Sequence, residues 1–311
     1  MTPDTAPSKK NPSAYVGRFA PSPSGPLHFG SLISALASFL DARAAAGRWL
    51  VRIDDIDPPR EEPGAADSIL NALQAHGLEW DGEIIYQSQR HPAYQAMLKR
   101  LQQQKLIYPC NCTRQRLMDR GGIYDGHCRI HPPDTTPVAL RLKLYDLPEP
   151  HAHLPDTLQF DDLIQGPQQQ NLAREVGDAI VRRKDELYAY QLAVVVDDAA
   201  QGITDIIRGS DLLPVTARQI RFFELLGVPV PRYGHVPVVL DQSGRKLSKQ
   251  NHAPALDNAQ AAQNLWQALV FLGQNPPLSL NAESVSAILQ WAMVHWRREA
   301  LVGLEASVPN C

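Results

Sequence analysis

No apolar run in the chain approaches the roughly 18 residues a membrane-crossing helix needs. The polar, proline-containing lead-in from Met1 to Ser13 also lacks the hydrophobic core of a secretory signal. A cytoplasmic protein without a membrane partner is therefore expected. Cysteine is scarce: of four, three cluster between positions 110 and 128, which argues against a disulfide framework and for a reduced compartment and a metal. Charge of one sign is lacking too. The net charge of −3 gives no global basic field, so any nucleic-acid contact must use a local patch. There is no Gly-x-x-x-x-Gly-Lys-Ser/Thr stretch, which excludes the common P-loop design for binding nucleotides. No internal repeat is present.

At 311 residues with 44% apolar content, the chain can bury a large core and hold two or three structural units. Its most informative stretch is Arg18-Phe-Ala-Pro-Ser-Pro-Ser-Gly-Pro-Leu-His-Phe-Gly-Ser31. It reads as a strand end (Tyr15 to Phe19), a stiff proline-glycine turn, and a helix starting near Ser31. Such a strand-to-helix turn binds anions, because free N–H groups and the helix dipole point into it. His28 can donate to a phosphate there, beside backbone donors near Gly30.

Trp49 to Ile53 reads as a second strand, parallel to the first, and delivers Asp54, Asp55 and Asp57 to a strand end, where open α/β sheets bind ligands. Helices are expected at Ala65–His76 and from Pro92, with a strand near Ile84–Gln87. From Cys110 to Cys128 a metal knuckle is expected. Its thiolates select zinc, and spacing leaves the fourth ligand open among Tyr124, His127 and His131. Cys311 is incidental. Val138–Leu144 is a half-exposed strand, and residues 146–177 form a less regular stretch with one strand at Thr157–Leu163. Further strands are expected at Asp178–Arg183 and across Gly202–Asp211. Pro214 opens a helix to Leu226, and His235–Leu240 is a last strand feeding Lys246-Leu-Ser-Lys249. Helices at Ala259–Gly273 and Ala282–Trp296 close the chain.

His28-Phe-Gly-Ser31 and Lys246-Leu-Ser-Lys249, in that order, resemble the two signatures of class I aminoacyl-tRNA synthetases. That chemistry joins a substrate carboxylate to the α-phosphorus of ATP and releases pyrophosphate, which needs positioning and charge neutralisation more than a protein nucleophile. Lys249, with Lys246 second, would stabilise the leaving pyrophosphate, and a mobile loop suits that role. Arg18 and Arg208, each at a strand end, argue for an acidic amino acid.

Arg18-Phe-Ala-Pro-Ser22, Arg52-Ile-Asp-Asp-Ile-Asp57, Tyr190-Gln-Leu-Ala and Val195-Val-Asp-Asp198 with Gly202-Ile-Thr-Asp-Ile-Ile-Arg208-Gly narrow the resemblance to the glutamyl branch. The short tail after the Lys-Leu-Ser-Lys loop and Gly121-Gly-Ile-Tyr-Asp-Gly-His-Cys128 resemble the glutamyl-Q tRNA(Asp) synthetases. The resemblance implies a Rossmann-like α/β catalytic domain with a parallel sheet, an inserted zinc-containing α+β module and a short helical C-terminal region. It implies tRNA-independent activation of L-glutamate by ATP, with Mg2+, and transfer to queuosine at the wobble position of tRNA(Asp) by a monomer.

Carried over by residue, Arg18, Ala20, Ser22, Asp54, Tyr190 and Arg208 would contact glutamate. His28, Gly30 and Lys249 would contact ATP, with His28, Lys246 and Lys249 catalytic. Cys110, Cys112, Tyr124 and Cys128 would hold one structural zinc. The expected organisation is a lead-in (1–14), a first catalytic half (15–105), the inserted module (106–177), a second catalytic half (178–254) and a helical tail (255–311). Three departures stand out: Asp54 where the family commonly has Glu, Ser31 in place of the second His, and Gln250 in place of the final Ser. The competing expectations are a truncated glutamyl-tRNA synthetase that charges the tRNA 3′ end, a non-catalytic RNA-binding paralogue and a small-molecule adenylyltransferase.

Overall fold

The computed structural model describes residues 14–146, 155–247 and 253–304. Its centre is a parallel sheet in which β1 (Val16–Phe19) pairs with β2 (Arg48–Ile53), and β2 with β3 (Ile85–Tyr86). The connections run through α1 (Phe29–Ala44) and α2 (Ala65–Ala75), and α3 (His91–Gln103) follows β3. The helix α1 begins two residues earlier than the sequence suggests, because the His28 ring itself caps it: Nδ1 accepts from the Ser31 N–H at 3.3 Å.

Beside β1 stands a four-stranded sheet of β9 (Asp205–Gly209), β10 (Arg232–Val236), β6 (Thr157–Asp162) and the edge strand β7 (Gly166–Asn171), and the two together form one large, two-part sheet. The two halves meet where the Thr204 N–H donates to the Val16 carbonyl (2.9 Å) and the Val16 N–H to Thr204 Oγ1 (2.8 Å). β6, β10 and β9 are parallel, while β7 returns antiparallel on β6 as a hairpin.

Residues alternate across this sheet. Trp49, Val51 and Ile53 join one core with α1, α2, α8 (Ala261–Phe271) and α9 (Val285–His295). Leu50, Ile206 and Tyr233 join the opposite core with α3, α6 (Tyr190–Ala200) and α7 (Thr216–Leu226). A parallel sheet covered on both faces is the doubly wound design, and its ligand crevice opens where strand order reverses, here beside β1.

A second, antiparallel sheet holds β4 (Ile107–Cys110), β5 (Ala139–Leu142) and β8 (Ala179–Arg182). The short helices α4 (Arg114–Met118) and α5 (His127–Ile130) lie between β4 and β5. Strand pairing thus sends β6 and β7, from the 106–177 stretch, to the large sheet, and β8, from the 178–254 stretch, to the small one. The irregular stretch expected at 146–177 contains the β6–β7 hairpin. Its second strand, Gly166-Pro-Gln-Gln-Gln-Asn, is a polar edge strand without the apolar alternation that marks a strand in sequence.

One expected strand is corrected. The last strand is Arg232–Val236, not His235–Leu240. Pro237 has no N–H to extend the ladder, and the apolar residues after it form a separate turn in which Leu240 bridges Lys246 and the Leu247 N–H donates to the Val239 carbonyl at 2.7 Å.

Candidate active site

A cavity of about 290 Å³ opens at the C-terminal ends of β1 and β9. Its floor is the proline-glycine turn and the start of α1, and its far wall is the turn carrying Lys246. Of the residues singled out in sequence, it brings together Arg18, Ala20, Ser22, His28, Gly30, Tyr190, Arg208 and Lys246. Asp54 lines a neighbouring cavity of about 160 Å³ instead, and Ser22, Ser24 and Tyr190 line both. Lys249 lies outside the described residues.

At the phosphate-type end, a neutral His28 whose Nδ1 accepts from Ser31 carries its proton on Nε2. Gly30 is close behind: a Cβ there would sit 3.1 Å from His28 Cε1, so a side chain would push against the ring. Lys246 Nζ bonds Asp211 Oδ2 at 2.5 Å, which ties the turn to the segment after β9.

At the other end two buried arginines differ sharply. Arg18 meets Asp198 with Nε and Nη2, each at 3.3 Å. Asp198 also takes Arg52 Nη1 at 2.6 Å, and Arg52 Nε reaches Asp54 Oδ1 at 2.8 Å. Burial alone would raise the Asp198 carboxyl, but the two guanidiniums outweigh it and hold Asp198 below the usual range. Asp54 has the weaker share of positive charge, and burial pushes its carboxyl up to about 6 against the pull of Arg52.

Arg208 has no carboxylate within ion-pair reach among the described residues. Its donors go to His235 Nε2 (3.0 Å), Gln219 Oε1 (2.8 Å), Thr216 Oγ1 (2.8 Å) and the Leu212 carbonyl (3.4 Å). Burial lowers its affinity for its proton, so an anion in the cavity would supply the charge its neighbours withhold.

The three clustered cysteines also meet. The Sγ atoms of Cys110, Cys112 and Cys128 lie within 4.8 Å of one another, with Cys112 and Cys128 at 3.5 Å. Three thiolates on one tetrahedral zinc sit about 3.8 Å apart at Zn–S distances of about 2.3 Å, so this donor set fits a metal. Arg141 Nε donates to Cys110 Sγ at 3.2 Å. Burial and the neighbouring sulfurs push the Cys112 thiol up to about 12. Of the three candidates for a fourth ligand, the Tyr124 hydroxyl is turned to this loop and accepts from the Cys128 N–H at 2.8 Å. Neither His127 nor His131 joins the sulfur group; their rings face each other at 4.9 Å. Cys311 lies outside the described residues.

Residues 15–129 and 149–270 match the family described as tRNA synthetases class I (E and Q), catalytic domain. The chain belongs to this family. A Pseudomonas fluorescens protein named glutamyl-Q tRNA(Asp) synthetase is 52% identical over 96% of this chain and 97% of its own length. One of the same name from Thiobacillus denitrificans is 54% identical over 93% and 95%. Among solved structures, a glutamate tRNA ligase from Elizabethkingia meningosepticum in complex with its amino acid superposes with a TM-score of 0.77 at 24% identity. That match covers 95% of this chain and 67% of the ligase. A glutamate-tRNA synthetase from Elizabethkingia anophelis gives 0.79 at 22%, covering 96% and 68%. Both establish that this synthetase shares their fold.

The synthetase's supporting groups were harder to see in sequence. Asp198 and its neighbour Asp197 sit in α6 among buried valines; two carboxylates in such a run require buried partners, and that signal was present. Asp197 accepts from Gln87 (2.8 Å), Arg90 (2.9 Å) and Tyr94 (2.6 Å). Asp162 and His235, which back Arg208, sit in strands read only as apolar pattern and carried no signal.

Proposed function

We propose that the chain activates L-glutamate with ATP and passes the glutamyl group to queuosine in tRNA(Asp). The observation that carries this reading is Arg208, a buried guanidinium facing the cavity with neutral partners only among the described residues. It suits the side-chain carboxylate of an acidic amino acid, with Arg18 across the same cavity. Asp54, beside the shared wall of Ser22 and Tyr190, then accepts from the substrate ammonium, and Ala20 lines the space between.

The substrate's α-carboxylate oxygen attacks the α-phosphorus of ATP. The bond to the bridging oxygen breaks, and pyrophosphate carries the electron pair away. Within this chain His28 Nε2–H and the N-terminal N–H groups of α1 donate to the phosphates, and Gly30 lets them approach. Lys246 and Lys249 balance the charge that grows on the pyrophosphate, and ATP arrives with its Mg2+. A diol hydroxyl of queuosine next attacks the mixed anhydride, forms the ester and releases AMP. The relatives' printed names support this acceptor.

Cys110, Cys112 and Cys128, with Tyr124 as fourth ligand, would hold one zinc ion. The ion would supply a structural clamp for the loop between β4 and β5.

The test is transfer of labelled glutamate, with ATP, to tRNA(Asp) carrying queuosine, to tRNA(Asp) lacking it, and to tRNA(Glu). Label on the queuosine form alone is expected. Label on tRNA(Glu) would make the chain a minimal 3′-end synthetase, and glutamate adenylate without any labelled tRNA would leave the acceptor wrong.

A further inference from the structure

Arg208 is aimed by groups that never reach the cavity. His235 lies directly across from it in the β9–β10 register, and Asp162 ends the next strand, β6. All three side chains are buried. His235 Nε2 accepts from Arg208 Nε at 3.0 Å. A neutral imidazole can accept there only if Nδ1 carries the proton, and Nδ1 lies 2.5 Å from Asp162 Oδ2. The other carboxylate oxygen, Oδ1, accepts from the N–H groups of Ile164 (3.0 Å), Gln165 (2.9 Å) and His235 (3.1 Å). Asp162 therefore cannot turn, and only Oδ2 faces the ring.

We propose that Asp162 and His235 are positioning residues for substrate selection. Asp162 selects the His235 tautomer that keeps Nε2 an acceptor, and Nε2 holds the Arg208 guanidinium toward the substrate's carboxylate. With the opposite tautomer, Nε2–H would face Arg208 Nε–H, donor against donor, and could turn only to Thr216 Oγ1 at 3.1 Å, so Arg208 Nε would lose its acceptor. The bond that holds Arg208 Nε would be lost, and the guanidinium would keep only Gln219, Thr216 and the Leu212 carbonyl. This inference rests on the reading that Arg208 binds glutamate.

Asp162→Asn tests it. The three main-chain donors at Oδ1 keep the amide oxygen there, so the new NH2 faces His235 Nδ1 and drives the ring proton to Nε2. In glutamate-dependent ATP–pyrophosphate exchange, the glutamate KM should rise about 10- to 100-fold, the worth of a hydrogen bond to a charged group. The KM for ATP should hold and kcat should change less than a few-fold. Arg208→Ala, measured alongside, must raise the glutamate KM as well; if it does not, the reading of Arg208 falls and this proposal with it. A raised KM in Arg208→Ala with a normal KM in Asp162→Asn overturns the positioning role alone, as does a variant that loses kcat and thermal stability at unchanged KM. Should Asp162→Asn not fold, 15N ring shifts of His235 in the unaltered protein decide the point: Nδ1–H supports the proposal, and Nε2–H refutes it.

Discussion

Asp54 is one methylene shorter than the glutamate common at its position in the family, and it is drawn toward Arg52 at 2.8 Å. Burial, only partly offset by Arg52, leaves its carboxyl near pH 6, so ionisation and ligand binding meet in an accessible range. The sign for stability follows. Between the unfolded value near 4 and about 6, the folded protein holds a proton that the unfolded chain has released. This group's stabilising contribution is full below the unfolded value and is lost as pH rises through 6. Binding runs the other way, because only the ionised carboxylate accepts fully from an ammonium. The glutamate KM should fall about tenfold as pH rises from 5 to 7 and flatten in Asp54→Asn, measured by ATP–pyrophosphate exchange. A flat wild-type profile would remove Asp54 from the site. Asp54→Glu, restoring the family's reach, should lower the KM a few-fold at pH 7.

At the scale of the element, α6 divides two carboxylates between two directions one helical step apart. Asp197 faces α3 and the segment before it through Tyr94, Arg90 and Gln87, while Asp198 faces the sheet through Arg18 and Arg52. The helix thus clamps β1, β2 and α3 around the cavity mouth. Both arginines facing Asp198 are buried, so removing it leaves Arg18 without its carboxylate and Arg52 with Asp54 alone. Asp198→Ala should cost about 3–5 kcal/mol in urea denaturation, the range for breaking a buried pair from one side. A loss under about 1 kcal/mol would mean that water replaces the carboxylate freely. Gln87 shows the same element at work. It lines the cavity that Asp54 lines, with its Nε2 committed to Asp197 and its buried Oε1 without a partner among the described residues.

Across the whole molecule, the candidate crevice and the cysteine loop are built separately. The crevice stands on the large sheet with a core on each face, whereas the loop's own cluster contains only Tyr108, Cys110, Tyr124 and Cys128 with Cys112 and Leu117 beside them. So little apolar surface cannot offset the ordering entropy of a loop of this length, and a metal would do so. Elemental analysis should find about one zinc per chain. Chelation or Cys110→Ser should open the loop between β4 and β5 to proteolysis while ATP–pyrophosphate exchange persists. A metal-free preparation with a protected loop and full transfer activity would sink the zinc assignment.

Local pattern in the sequence determined the strand–turn–helix at Arg18–Ser31, the parallel pair β1–β2 and the three-cysteine loop, because propensity, turn chemistry and ligand type act over a few residues. The motifs also determined the family. Tertiary structure alone decided that β6 and β7 join the large sheet and β8 the small one, since register depends on partners far away in the chain. It alone set Arg18 and Arg208 apart, giving one a buried aspartate and the other only neutral partners among the described residues. It also placed Asp162 and His235 behind the second. A side chain's electrostatic state is the sum over everything packed around it, and residues about 30 and 70 positions apart in the chain complete that sum here.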